Sequence, residues 1–288
     1  MVSTACTLVR RRMQSCDEVH PLFVVGVGRS GTTPLCQALH CHPQIIMAPG
    51  ESPLVHHVGL LARSYESGGE YYWNSTGIPY EAVRDQLRSL CVIAMWGDSE
   101  ETMSDRLAAV RMAPAAEKDF EAIRCWGGKV FPDEPSARGL HWLFGRATFV
   151  HIVRNGIDVV HSMSKFHGFR HLTFEERCRF WSNNVLRYQW LRSYGRGLEI
   201  RFEDFLRNPD ACLRRVFSLA RLLYDGEPSR FAASTLVHPL DQATMAANPC
   251  STLAQRRPAH ENWSTGEREM FREICSEAMH VFRYELPF

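Results

Sequence analysis

A glycine-rich turn with one arginine and three hydroxyl groups follows the first apolar run of the chain. It extends from Gly26 to Thr33, and a helix-compatible segment comes next. Glycines let successive backbone N–H groups converge on one point, and the positive end of a following helix favours a negative charge there. The side chains that can add donors are Arg29, Ser30, Thr32 and Thr33. The turn therefore predicts an anion site, with a plain strand-to-helix turn that binds nothing as the alternative.

The spacing of this turn matches a phosphate-binding loop except at one position. Against the pattern G-x-x-x-x-G-K-[ST], Gly26 and Gly31 occupy the glycine positions, whereas Thr32 stands where nucleotide triphosphatases have lysine. The ligand would then be held by the backbone, Arg29 and hydroxyl groups, and not by a lysine together with hydroxyl-bound magnesium. We expect a phosphate-like group here, but not the site of an ordinary ATPase.

A second pair of polar residues follows a later apolar run. The run from Thr148 to Val153 leads into Arg154, and Ser162 comes eight positions later in the next predicted helix. Open α/β sheets bind ligands at the carboxyl ends of their strands, so these two side chains could hold a second phosphate. The alternative is that Arg154 forms only an ion pair with Asp158.

Short strand-like runs alternate with longer segments of helical spacing. The predicted strands are Leu22 to Val27, Gly128 to Phe131, Thr148 to Val153, and Leu198 to Phe202. The predicted helices are Tyr80 to Arg111 with a continuation over Asp119 to Arg124, Thr173 to Leu191, Pro209 to Leu223, and Ser264 to Phe282, where Ser264 and Glu267 form a capping box. This alternation predicts an α/β fold with a central, mostly parallel sheet and helices on both faces.

The chain is expected to form an N-terminal tail over residues 1–20 and a single domain over residues 21–288. Residues 51–124 lack a convincing central strand and predict a helical cap over the site. Tyr71, Tyr72 and Trp73 in this interval could line an acceptor pocket, although packing between helices is the commoner role of such side chains.

The composition fits a soluble protein with a large core: 288 residues, 45% hydrophobic, 23% charged, net charge +1. The near-neutral charge gives no general attraction to nucleic acid, and no apolar stretch reaches the roughly 20 residues that span a bilayer. The 10 cysteines are dispersed without a C-x-x-C pair, which favours reduced thiols and a cytoplasmic location. His40, Cys41 and His42 are adjacent in the sequence and not spaced as metal ligands, so we expect no metal site.

Four motifs, taken in order, resemble the sulfotransferases that use 3′-phosphoadenosine 5′-phosphosulfate (PAPS). They are Arg29-Ser-Gly-Thr-Thr33, Arg154 with Ser162, Arg201-Phe-Glu-Asp-Phe-Leu-Arg-Asn-Pro209, and Arg256-Arg257 before Trp263. The resemblance extends from residue 21 to about residue 286 and is nearest to the tyrosylprotein and carbohydrate branches. It implies the P-loop-like sulfotransferase fold, with residues 51–124 as a cap on the acceptor side.

The resemblance also implies which residues bind the donor. The loop that binds the 5′-phosphosulfate corresponds to Arg29, Ser30, Gly31, Thr32 and Thr33. Arg154 and Ser162 correspond to the pair that binds the 3′-phosphate. Arg256 and Arg257 correspond to a late basic loop that closes on the same phosphate, although the family's usual glycine is absent here.

Two further residues correspond to the reacting groups of the family. Lys129 precedes a proline-containing turn, where the family has a lysine that contacts the bridging oxygen of the leaving phosphate. Glu51 follows His42-Pro43, as does the glutamate that acts as general base in the related branches, although the intervening segment is a little longer here. Glu51 could instead be an ordinary surface residue, and the reserve candidates for the base are His56, His57, Asp133 and Glu134.

The implied reaction moves a sulfuryl group from PAPS to a hydroxyl or amine acceptor, with 3′,5′-adenosine bisphosphate (PAP) as the second product and no metal ion. Lys129 and Arg29 would neutralise the departing phosphate. The acceptor could be a small molecule, a sugar or a peptide. Two other functions stay open: a P-loop kinase or nucleotide hydrolase, and a non-catalytic relative that binds the bisphosphate nucleotide.

Overall fold

The computed structural model describes residues 19–97, 119, 121–236 and 258–288. Its centre is one sheet of five strands: β1 (His20–Val25), β2 (Ile45–Glu51), β3 (Cys125–Lys129), β4 (Thr148–Val153) and β5 (Gly197–Arg201). The strand order is β2-β3-β1-β4-β5, and every pair is parallel. The carboxyl ends of all five strands therefore meet at one edge.

Ten α-helices lie in the described residues. They are α1 (Thr32–His40), α2 (Leu54–Ser75), α3 (Tyr80–Trp96), α4 (Glu134–Phe144), α5 (Gly156–Lys165), α6 (Phe174–Arg187), α7 (Phe202–Arg207), α8 (Pro209–Ala220), α9 (Glu227–Leu236) and α10 (Thr265–Val281). Two short 3₁₀ helices span Gln189–Arg192 and Ala259–Asn262.

The sheet is covered on both faces because alternate strand residues point to opposite sides. On one face, Phe23 of β1 and Phe149 of β4 pack in a cluster with the buried sides of α2, α3 and α4. On the other face, Val24 and Val150 pack with α1 and α8. A third cluster joins α5, α6 and α10 beyond the end of β4. The predicted α/β class with a parallel sheet is confirmed.

One strand of the sheet was not predicted. β2 contains Pro49 and Gly50, two residues that weaken a strand pattern, and its register against β3 shifts between Met47 and Glu51. Proline is tolerated in β2 because this is an edge strand. Glu51, the first residue of the predicted cap, is the last residue of this strand.

Other boundaries also differ from the prediction. β1 begins two residues earlier than predicted, and β3 begins at Cys125, three residues earlier. Residues 121–124 form a turn and extended chain, so the predicted helical continuation there is wrong. The part of the predicted helix between Asp98 and Arg111 lies outside the described residues.

The two helices of the predicted cap are also part of the core. α2 buries Val58 and α3 buries Val92 in the cluster on the first sheet face. Near the end of α2, Trp73 donates through Nε1 to the carbonyl oxygen of Tyr65 at 2.7 Å, while Tyr71 is 88% exposed. The aromatic residues of this region therefore divide between helix packing and the open surface.

Candidate active site

The glycine-rich loop leaves the carboxyl end of β1 and enters α1. Its backbone has positive φ at Arg29 (72°) and Gly31 (96°). A Cβ at Gly26 would lie 2.6 Å from the carbonyl oxygen of Ile152, so the neighbouring strand leaves room only for glycine. In the described residues, no side chain caps the amino end of α1. Its first N–H groups are therefore directed toward the loop and can bind an anion.

Arg29 connects this loop to α5. Its Nε donates a hydrogen bond to Ser162 Oγ at 3.1 Å, and its guanidinium lies 4.4 Å from the centroid of the Phe166 ring. The two motifs are 133 positions apart in the chain, yet their side chains are in direct contact. The structure thus brings together Arg29 and Ser162, which the sequence assigned to opposite ends of the ligand.

Arg154 lies at the end of β4 beside the same loop. Its Nη1 donates to the carbonyl oxygen of Arg29 at 3.3 Å, and its guanidinium stacks 4.9 Å from the centroid of Phe202. Nη2 is also 3.5 Å from Asp158 Oδ2. The ion pair raised as an alternative is therefore present, together with the contact to the loop. Arg154 Nε is buried and has no hydrogen-bond partner in the described part of the chain.

Three residues to which the sequence assigned no role hold the end of β4. The N–H of Asn155 donates to Glu203 Oε1 at 3.0 Å, and Asn155 Oδ1 caps α5 by accepting from the N–H of Ile157 at 2.9 Å. The hydroxyl of Tyr284 lies 2.8 Å from Glu203 Oε2 and 3.2 Å from the carbonyl oxygen of Val153. Burial raises the pKa of Tyr284, and the Glu203 carboxylate raises it further. Tyr284 therefore stays a neutral donor that keeps Glu203 in place.

Lys129, Thr33 and Glu51 form the other half of the site. β2 and β3 pair Glu51 with Lys129 in register, and Lys129 Nζ is 3.5 Å from Glu51 Oε1. The same ammonium group donates to Thr33 Oγ1 at 3.3 Å. The Lys129 side chain is 12% exposed, whereas that of Glu51 is 51% exposed. One cation is thus placed between the loop and an accessible carboxylate.

Three of the four reserve residues, His56, Asp133 and Glu134, are held by contacts of their own. Asp133 caps α4 by accepting from the N–H of Ser136 at 3.0 Å, and Glu134 pairs with an arginine one turn along the same helix. His56 Nδ1 lies 3.1 Å from Ser136 Oγ and 3.7 Å from Asp133 Oδ1. Burial lowers the pKa of His56 more than the Asp133 charge raises it. Asp133 and Glu134 thus serve the start of α4, and His56 is a neutral imidazole beside it.

The family of this chain follows from its match to a family model. A family model described as the sulfotransferase family matches residues 21–225. The chain belongs to the sulfotransferase family. The match covers the loop, Lys129, Arg154 and the segment from Arg201 to Pro209. The comparison with curated proteins returned no match for this sulfotransferase.

Solved structures share the fold at low sequence identity. Mouse sulfotransferase SULT7A1 complexed with PAP is 15% identical, with a TM-score of 0.50, covering 95% of this chain and 91% of its own. The sulfotransferase domain from the Synechococcus PCC 7002 olefin synthase is 14% identical, with a TM-score of 0.48, covering 94% and 97%. A sulfotransferase from Alicyclobacillus acidocaldarius is 16% identical, with a TM-score of 0.44, covering 92% and 96%.

The late basic loop predicted for this sulfotransferase, with Arg256 and Arg257, lies outside the described residues. The described chain resumes at Pro258, ahead of the 3₁₀ helix Ala259–Asn262. None of the helices in the described residues is long and apolar enough to cross a membrane. His40 Nδ1 accepts from the N–H of Met47 at 3.1 Å, and His42 Nε2 lies 2.9 Å from the carbonyl oxygen of Leu223, so main-chain contacts hold both histidines.

Proposed function

We propose that this sulfotransferase transfers a sulfuryl group from PAPS to a hydroxyl or amine acceptor. The observation that carries the proposal is the contact of Arg29 with Ser162, together with that of Arg154 with the loop backbone. These contacts bring the glycine-rich loop and Arg154 side by side at the carboxyl ends of β1 and β4, and each would bind one anion. A nucleotide with phosphates on both the 5′ and 3′ positions suits such a pair.

The residues present fit this donor. The glycine-rich loop and the uncapped amino end of α1 would hold the 5′-phosphosulfate through backbone N–H groups and the hydroxyls of Ser30, Thr32 and Thr33. Arg154 would bind the 3′-phosphate, and its buried Nε offers a donor that has no other described partner. The structure of mouse SULT7A1 complexed with PAP, which shares the fold, supports a nucleotide of this kind.

The reaction requires positioning, charge stabilisation and removal of one proton. The acceptor oxygen or nitrogen attacks the sulfur, the bond from sulfur to the 5′-phosphate oxygen breaks, and PAP leaves with the electron pair. Lys129 would stabilise the charge on that oxygen, since its ammonium group already contacts the loop at Thr33. Glu51 would take the acceptor proton, because its carboxylate is exposed and 3.5 Å from the same ammonium group.

The exchange of Glu51 for glutamine tests the base directly. Glu51→Gln keeps the size of the side chain but cannot accept the proton, so we expect kcat to fall roughly 100- to 10,000-fold. The assay is transfer of radiolabelled sulfate from PAPS across a panel of phenols, sugars and tyrosine peptides, which also defines the acceptor. A glutamine variant with the wild-type kcat would remove Glu51 from the mechanism and leave His56 as the next residue to test.

Ligand binding separates the proposal from the two other functions. We expect PAP without a metal ion to raise the melting temperature, and ATP with magnesium to have little effect. Stabilisation by magnesium-ATP alone would favour a kinase or nucleotide hydrolase and would overturn the proposal. Stabilisation by PAP without any transfer to the acceptor panel would favour a non-catalytic relative.

A further inference from the structure

A second basic surface lies at the opposite end of the sheet from the proposed donor site. There, a groove of about 630 Å³ runs between the turn into β5 and α8. Four of the residues that line this groove are arginines, namely Arg196, Arg214, Arg215 and Arg221. Its volume is within the range of about 300–1,000 Å³ that is usual for small-molecule sites. Because the groove is at the amino end of β5, it is separate from the loop and from Arg154.

The positive charge of this arginine groove is only partly balanced by the protein. Arg214 Nε pairs with Asp210 Oδ2 at 2.7 Å, and Arg215 Nη2 donates to a main-chain carbonyl of β5 at 3.2 Å. These contacts hold two of the guanidinium groups in place. Arg196 and Arg221 make no side-chain hydrogen bond or ion pair within the described residues. Their donors are therefore available to a ligand.

His20 is close enough to two of the groove arginines, Arg196 and Arg221, to be affected by their charge. Its Nε2 lies 3.2 Å from the carbonyl oxygen of Ala220, at the end of α8. Burial lowers the pKa of His20, the bond to Ala220 opposes this, and the positive charges of Arg146, Arg196 and Arg221 add to the lowering. Three guanidinium groups thus act on one imidazole at the amino end of β1.

The turn that carries Arg221 does not depend on its side chain. It has φ 56° and ψ 41° at the end of α8, a left-handed conformation in which glycine is the usual residue. The N–H groups of Arg221 and Leu222 donate to the carbonyls of Ser218 and Phe217 at 3.2 and 2.9 Å, and these bonds would form equally with glycine. The turn therefore does not need an arginine side chain, whereas an anion site does.

We propose that the arginine groove binds a small ligand that carries two or more adjacent phosphate or sulfate groups. Guanidinium groups bind the oxygens of both anions through paired, charge-assisted hydrogen bonds. Arg214 and Arg215 would provide guanidinium groups that are already held in place. The side chains of Arg196 and Arg221 would add hydrogen bonds to the anionic groups of the ligand. A ligand with a single anionic group would engage only part of this set.

The test is calorimetric titration with tripolyphosphate and, separately, with sucrose octasulfate. Replacing Arg196 and Arg221 together by glutamine should weaken binding by about 10-fold or more for each guanidinium removed. Arg283→Gln is the matched control, because Arg283 is also exposed and also has φ 56°. It should leave both affinities unchanged. Loss of binding with only one of the two probes would support the groove and identify the anion that it prefers.

Two further variants show where the anion binds and whether folding is the cause. Arg154→Ala should leave a calorimetric site for tripolyphosphate, because that site is not at the strand carboxyl ends. Arg221→Gly should lower the affinity while the melting temperature is kept or raised, since glycine relieves the left-handed backbone. Unchanged affinity in the double glutamine variant, or loss of all tripolyphosphate binding in Arg154→Ala, would overturn the proposal.

Discussion

The exchange of Arg154 for alanine tests the proposed 3′-phosphate site without knowledge of the acceptor. The Arg154 side chain is 17% exposed, stacks on Phe202, and already bonds to the carbonyl oxygen of Arg29. It is therefore held in position before it meets a phosphate. A hydrogen bond to a charged group contributes about 1.5–3 kcal/mol, so Arg154→Ala should raise the Kd for PAP about 10- to 150-fold.

The neighbouring aspartate predicts a change of the opposite sign. Asp158 Oδ2 is 3.5 Å from Arg154 Nη2 and would compete with the proposed 3′-phosphate for the same guanidinium. The Asp158 side chain is partly exposed, so its pairing is screened by water and contributes about 0.2–1 kcal/mol. Asp158→Asn should therefore tighten PAP binding by roughly 1.5- to 5-fold.

Calorimetry with two nucleotides separates a phosphate contact from a general disturbance. PAP carries the 3′-phosphate and adenosine 5′-monophosphate lacks it, so Arg154→Ala should weaken the binding of PAP and leave that of the monophosphate unchanged. Arg272→Ala is the control, because its guanidinium also lies over a ring, that of Phe288 at 5.9 Å. Equal affinity of wild type and Arg154→Ala for PAP, or equal losses for both nucleotides, would refute the assignment.

Three other substitutions test the leaving-group cation, the loop and a partly exposed ion pair. Lys129→Ala should lower kcat in the sulfate-transfer assay about 100-fold or more, because one donor to the leaving oxygen is lost. An unchanged kcat would exclude Lys129 as the cation that stabilises the leaving group. Gly31→Ala should destabilise the protein by more than about 1 kcal/mol in urea denaturation, because φ is 96° and an added Cβ would overlap the ring of Phe202; an unchanged midpoint would contradict this. Burial alone would raise the pKa of Glu199, but the neighbouring imidazole and guanidinium groups lower it from 4.5 to about 2. Such a carboxylate stabilises the fold above about pH 4.5 and loses this contribution as the pH falls toward 2. The difference in free energy of unfolding between wild type and Glu199→Gln should therefore decrease as the pH falls through that range. A difference that does not depend on pH would count against the ion pair of Glu199 with Arg192.

The sequence was sufficient to predict those elements whose local residue pattern agrees with the fold. β4 was predicted with its observed limits, Thr148–Val153, because it is a continuous run of strand-forming residues that the sheet buries on both faces. The capping box of Ser264 and Glu267 was predicted in the same way, since both contacts lie within one turn of helix. The alternation of such segments was enough to predict the class of the fold.

The features that could not be predicted depend on distant parts of the chain. β2 is a strand only because β3 pairs with it, and its Pro49-Gly50 pair argues locally against one. Glu203 lies in a motif noted in the sequence, but its bond to Tyr284 joins residues 81 positions apart. Hydrophobic periodicity carries no information on such a contact, so the support behind the end of β4 is visible only in the folded chain.

Arg29 shows why the site requires the whole fold. Its φ of 72° is a conformation that costs a side-chain-bearing residue about 1–3 kcal/mol. The contacts that offset this cost come from Ser162, Phe166 and Arg154, all beyond the fourth strand, so residues 26–33 alone do not specify this shape of the loop. Because these contacts lie within the protein, they fix the guanidinium between the loop and α5 independently of the donor. The conformational free energy of ordering Arg29 is then met during folding, and the proposed donor would not have to supply it on binding.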